Sequence, residues 1–99
     1  MIKNNMRPIH PGEILREEYL EPLGMTPNAL SIQLRVPSPR INDVVRAKRG
    51  ITTDTALRLA RYFNTTAQYW LNLQTSYELK RTELEVGNII ENEIQPLAA

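Results

Sequence analysis

The chain has 99 residues, 41% of them hydrophobic and 23% charged, with a formal net charge of +1 and no cysteine. That length suits one core of ordinary globular make-up, and the lack of cysteine excludes disulfides and thiolate metal sites. No apolar run reaches the roughly 18–20 residues that cross a bilayer and residues 1–6 lack an apolar signal core, so no membrane partner is expected and the expected address is cytoplasmic.

Cap and turn signals divide the chain into short helices, and no stretch alternates with period two, so the expected fold is all-α. Residues 1–8 read as a flexible N-terminus. The first helix opens at His10-Pro11-Gly12-Glu13, where proline suits the first turn and the Glu13 carboxylate suits the positive end of the helix dipole. Ile14, Leu15, Tyr19, Leu20 and Leu23 form its inward stripe, and Pro22 with Gly24 is expected to end it.

Thr26 caps a second helix, with Pro27 in its first turn and Val36-Pro37 beyond its end. Ser38-Pro39 repeats this device and opens a third helix over residues 38–47, which Gly50 closes; Ile41, Val44 and Val45 share one side of it. Thr53 is the expected cap of the fourth helix, with Asp54 in its first turn and Asn64 as its left-handed stop. Thr66 caps a fifth helix, whose Tyr69, Trp70, Leu73 and Tyr77 are assigned to core and dimer contacts. Beyond Glu78 the pattern weakens, although Val86, Ile89, Ile90 and Ile94 support a further helix before Pro96. The expected organisation is a domain over residues 9–78 followed by a helical extension over 79–99.

The charges are unevenly placed. Residues 35–61 hold seven basic side chains against Asp43 and Asp54, whereas residues 1–34 and 62–99 are each acidic in balance. A local excess of this kind is the electrostatic footprint of a polyanion, unless it is simply a solvated face. It coincides with the closely linked helices over residues 26–34 and 38–47, the sequence form of a helix-turn-helix whose later helix enters the major groove of double-stranded DNA. With Ile41, Val44 and Val45 inward, Pro39, Asn42, Asp43 and Arg46 face outward. Asparagine pairs with adenine, arginine with guanine and carboxylate with cytosine, which makes Asn42, Arg46 and Asp43 base-reading candidates. Ser38, Arg40, Lys48 and Arg49 lie nearer the helix ends and are candidates for phosphate contacts. An ordinary polar surface helix carries similar residues; the coincidence of repeated caps, short link and basic block favours DNA.

Six blocks carry a further signal: His10-Pro11-Gly12-Glu13-Ile14-Leu15, Glu18-Tyr19-Leu20-Glu21-Pro22-Leu23-Gly24, Arg40-Ile41-Asn42-Asp43-Val44-Val45, Lys48-Arg49-Gly50-Ile51-Thr52, Thr55-Ala56-Leu57-Arg58-Leu59-Ala60 and Tyr69-Trp70-Leu71-Asn72-Leu73-Gln74. In this order and spacing the chain resembles the HigA-type antitoxins of bacterial toxin–antitoxin modules, also described as virulence-associated protein I (VapI), within the lambda-repressor-like, XRE-type group. The resemblance implies a five-helix lambda-repressor-like domain, a homodimer that regulates transcription from an operator near its own promoter, and a cognate RelE-like ribonuclease toxin that it neutralises. Ser31, Arg35 and Ala47 depart from the family's usual alanine, glycine and glycine. A left-handed arginine at the turn is a strained solution. Two alternatives stand beside this: a solitary regulator without a toxin partner, and a protein-interaction module whose DNA binding is incidental.

No cofactor is expected. His10 is the sole histidine and, with Glu13, falls short of the three or four ligands a metal requires; a helix-start role suits it. Glu17-Glu18 and Glu83 with Glu85 pair carboxylates, but no base, nucleophile or oxyanion device accompanies them, so catalysis is not expected. The acidic residues after Tyr77 suit either a second copy of the chain or a basic toxin.

Overall fold

The computed structural model describes residues 7–98, which form five helices and no strand. The first, α1, joins three pieces end to end: α-helical Pro11–Ile14, π-helical Leu15–Leu20 and α-helical Glu21–Leu23. His10 caps it, the ring Nδ1 accepting from the Gly12 N–H at 2.9 Å. Gly24, at φ 61°, provides the left-handed stop, as its freedom from a Cβ allows. Pro22, expected to share in that stop, lies inside the helix instead. In a regular α-helix a proline ring strikes the carbonyl four residues back. Here the Glu21 N–H reaches the Arg16 carbonyl, five back, and this wider turn just ahead of Pro22 makes room for the ring.

Helix α2 spans Pro27–Leu34, with the Thr26 hydroxyl accepting from the Ala29 N–H at 3.0 Å. Helix α3 spans Ser38–Val45 with Pro37 at the cap position. Ser38 is thus the first helical residue and does not cap; its Oγ accepts from the Asn42 side-chain amide at 2.9 Å. Helix α3 also stops short of the expected residue 47. Ala47 is itself left-handed at φ 60°, and the Lys48 N–H closes on the Asp43 carbonyl at 2.8 Å, so the stop precedes Gly50.

Helix α4 spans Thr53–Phe63. Its cap is Thr52 rather than Thr53, the Thr52 hydroxyl accepting from the Thr55 N–H, and Asn64 at φ 57° is the expected stop. Helix α5, capped by Thr66, runs unbroken over Ala67–Glu93, so the expected fifth helix and the helical segment after Glu78 are one element. Its projecting half draws the molecule out to 53 × 24 × 23 Å. Of the N-terminal segment expected to be flexible, residues 1–6 lie outside the described residues.

The core lies where α1 to α4 meet the first turns of α5. Leu15, Leu30, Ile41, Val44, Leu59 and Trp70 are fully buried there. Trp70, assigned from sequence to the dimer as well as the core, belongs wholly to the core within the chain: its indole N–H donates to the Thr65 hydroxyl at 2.8 Å, and the Tyr19 ring lies 5.0 Å away. One close approach sets the placement of α3. A Cβ on Gly12 would fall 1.8 Å from the Val44 carbonyl oxygen, so only glycine lets the start of α1 lie against the end of α3.

Candidate nucleic-acid interface

The turn that positions α3 is made by Arg35 in the left-handed conformation, φ 60° and ψ 43°, with the Val36 N–H closing on the Ser31 carbonyl at 3.1 Å. The backbone therefore takes up the strain of an arginine where glycine would be relaxed. Ser31 is buried beneath it and donates its hydroxyl to the Pro27 carbonyl at 3.0 Å, which satisfies the polar atom an alanine would not carry.

With Ile41 and Val44 fully buried, α3 presents Pro39 to solvent and leaves Ser38, Arg40, Asn42 and Asp43 half-buried along its flanks. Arg46 sits just past the last helical residue, exposed, as are Lys48 and Arg49 in the loop that follows. The eight residues singled out from sequence thus lie along one helix and the loop at its end, but they are not equally available. Arg40 donates to the Asp54 carboxylate on α4. Arg58 donates to the same carboxylate at 2.8 Å and to the Leu34 carbonyl at 2.9 Å, where it satisfies an open carbonyl at the end of α2. Hydrogen bonds from Arg58 and then Arg40 hold the Asp54 carboxyl below its ordinary range. Arg49 pairs with Asp43 at 3.5 Å, and the Asn42 amide folds back on the Ser38 carbonyl at 3.0 Å. Arg46 and Lys48 are ion-paired to none of the described residues.

Much of the basic block is therefore scaffolding. Asp54 and Arg58 were not singled out as site residues, although they lock α2, α3 and α4 into one unit. The signal was present in Asp54 and Arg58 lying four residues apart on one helical face. Gln74 is a second such residue. Its Oε1 accepts from the Ile51 N–H at 2.7 Å and its amide donates to Glu78 at 2.8 Å, pinning the loop after α3 to α5. His10 lies beside the same loop, and burial pushes its pKa below 6.5, favouring the neutral ring.

Of the aromatic set on α5, Tyr69 reaches the surface, while Leu73 and Tyr77 are half-buried and Tyr77 meets the His10 ring edge-on at 4.8 Å. Farther along, Leu79, Leu84, Ile89 and Ile90 are exposed. Among the described residues no three potential ligands gather to hold a metal ion, and no helix is long and apolar enough to cross a membrane.

Virulence-associated protein I of Dichelobacter nodosus is 57% identical to the chain over 96 residues, which cover 97% of this chain and 87% of that protein. The chain belongs to the virulence-associated protein I and HigA antitoxin family. The structure of the Pseudomonas aeruginosa antitoxin HigA with the higBA promoter is similar at a TM-score of 0.91 and 52% identity, over 93% of this chain and all of that one. Antitoxin GraA in complex with its operator matches at a TM-score of 0.91 and 44% identity over the whole of both chains. No family model matches the chain. The five-helix architecture is thus the family's helix-turn-helix fold, with α2 and α3 as the motif and α5 as its continuation, and the named relatives are antitoxins and regulators rather than enzymes.

Proposed function

We propose that this protein is an operator-binding transcriptional regulator and the antitoxin of a type II module, acting as a homodimer and neutralising a RelE-like ribonuclease. The likeness to HigA with its promoter, at 52% identity and a TM-score of 0.91, carries the DNA-binding reading, because α3 here offers a polar side backed by buried Ile41 and Val44. In this reading Pro39, Asn42, Asp43 and Arg46 meet base edges, with the Asn42 amide turning away from Ser38 to pair. Ser38, Arg40, Lys48 and Arg49 set register and affinity on the phosphates. Lys48 and Arg46 carry charge that no carboxylate among the described residues pairs with, whereas Arg40 shares Asp54 with Arg58 and Arg49 faces Asp43.

The dimer forms through α5, where Tyr69, Leu73 and Tyr77 and the exposed Leu84, Ile89 and Ile90 supply apolar surface. Two α3 helices then occupy successive major grooves about 34 Å apart. Footprinting on DNA flanking the gene tests this: a protected inverted repeat with half-sites one turn apart is expected, and its absence rejects the mechanism.

For the toxin, the exposed acidic residues Glu83, Glu85, Glu91 and Glu93 on α5 suit a basic ribonuclease. Co-expression with the neighbouring reading frame is expected to rescue growth and to yield a co-purifying pair. DNA protection without rescue would leave a solitary regulator.

A further inference from the structure

We propose that the cleft between the loop after α3 and the middle of α5 is a phosphate-binding site in which Arg81 joins Lys48 and Arg49, so that α5 takes part in gripping the DNA backbone. The assignment of DNA as the source of the phosphate rests on the operator-binding reading; the site itself rests on the cleft.

The cleft encloses about 360 Å³ and is lined by His10, Lys48, Arg49, Gln74, Tyr77 and Arg81, with Glu78 as its one carboxylate. The lining itself thus holds three cations and one carboxylate, which already accepts from the Gln74 amide at 2.8 Å, while Asp43 and Glu85 face Arg49 and Arg81 from just outside it. The periodicity of α5 brings Arg81 here. Gln74, Tyr77, Glu78 and Arg81 recur at three- and four-residue steps along one helical face, and Gln74 binds the Ile51 N–H at the end of the loop that carries Lys48 and Arg49. The same loop is held at its other end by the Lys48 N–H, which donates to the Asp43 carbonyl at 2.8 Å. Two independent pins thus fix the spacing of the cations before any ligand arrives, which reduces the ordering entropy that binding must overcome.

The cations are held loosely enough to take a ligand. Arg81 lies 5.7 Å over the Tyr77 ring, reaches the Tyr77 hydroxyl at 3.4 Å and faces Glu85 at 3.4 Å, while more than half of its side chain stays exposed. Arg49 faces Asp43 at 3.5 Å. Each contact is longer than the 2.7–2.9 Å of a strong charge-assisted bond, so an oxyanion offers these guanidiniums a better partner than they have. The planar fork of arginine suits two phosphate oxygens at once, and stacking on Tyr77 aims it. In sequence Arg81 sits in the acidic third of the chain, outside the basic block, which hides it from a reading of charge along the chain.

The test compares wild type, Arg81→Gln and a control, Arg16→Gln, which removes one charge outside the cleft. Operator binding is measured against salt concentration, and inorganic phosphate is titrated at constant ionic strength while the amide NMR signals of residues 48–51 are followed. The expected result is a salt slope lower by about 1 per protomer for Arg81→Gln, together with loss of the saturable phosphate shifts that wild type and Arg16→Gln retain. Loss of the phosphate shifts with an unchanged salt slope keeps the site and assigns it to a free phosphate rather than to DNA. Unchanged slope and unchanged shifts overturn the proposal. Should wild type fail to bind any flanking DNA, the operator reading falls, and the phosphate titration still decides whether the cleft is a site. Thermal melts of Arg81→Gln confirm that the fold is intact.

Discussion

Trp70 and Ile90 lie on the same helix and in different surroundings: the indole is fully buried, whereas Ile90 is 47% exposed and every residue over 88–98 is exposed. The head of the molecule is held by its own core, with a side-chain cap at the start of α1, α2, α4 and α5 and each buried polar side-chain atom among the described residues partnered. The stem shows its backbone ladder and local pairs such as Arg81 with Glu85. Isolated helices of this length are marginal in water, so the stem draws its helicity from the turns anchored in the head and from whatever covers its apolar side. Stability and assembly are therefore separable along one helix.

The widest separation is expected from two truncations on α5. Trp70→Ala should cost the head about 3–5 kcal/mol, enough to unfold a marginal domain, as read by chemical denaturation. Ile90→Ser should leave the unfolding of dilute protein nearly unchanged and instead make the sedimentation behaviour more monomeric. Equal losses of stability from the two would dissolve the distinction. Within the head, Gly12→Ala should cost roughly 1–3 kcal/mol by driving α1 away from the Val44 carbonyl, and it should weaken DNA binding through the displaced α3.

A smaller effect concerns pH. Burial lowers the His10 pKa below 6.5, so protons bind more readily to the unfolded chain, and this contribution to stability is full above pH 6.5 and lost as pH falls through that value toward the lowered one. His10→Asn retains an acceptor for the Gly12 N–H and should flatten the loss, as measured by melting temperature from about pH 7.5 to about pH 5. The smallest change is a gain. Ala47→Gly relieves a left-handed residue at φ 60° and should raise stability by up to about 1 kcal/mol, net of the greater freedom glycine gives the unfolded chain.

Helix starts and stops were legible wherever one residue's chemistry decides them. Thr26, Thr66, Gly24 and Asn64 act as their side chains dictate, and even the left-handed Arg35 could be anticipated from its place in the turn. The caps of α3 and α4 and the stop of α3 fell on neighbouring residues instead of those expected, and two larger features were not legible. The π-helical stretch of α1 depends on how the chain accommodates Pro22, and a proline by itself reads as a stop. The length of α5 was hidden because its distal half is largely exposed, and such a helix need not display a single apolar face. At the site, charge counts located the basic block, but not the division between Arg40 and Arg58, which brace Asp54, and Arg46 and Lys48, which face solvent. That division depends on contacts between helices far apart in sequence.

The unbroken α5 also gives the molecule leverage. Its root is fixed to the loop after α3 through Gln74, and about 22 Å of helix lie between Glu78 and Glu93 at 1.5 Å per residue. A tilt of about 10° at the root therefore carries the tip by about 4 Å. A partner that grips the tip is mechanically coupled to the attitude of α3, with small rotations near the groove magnified at the far end.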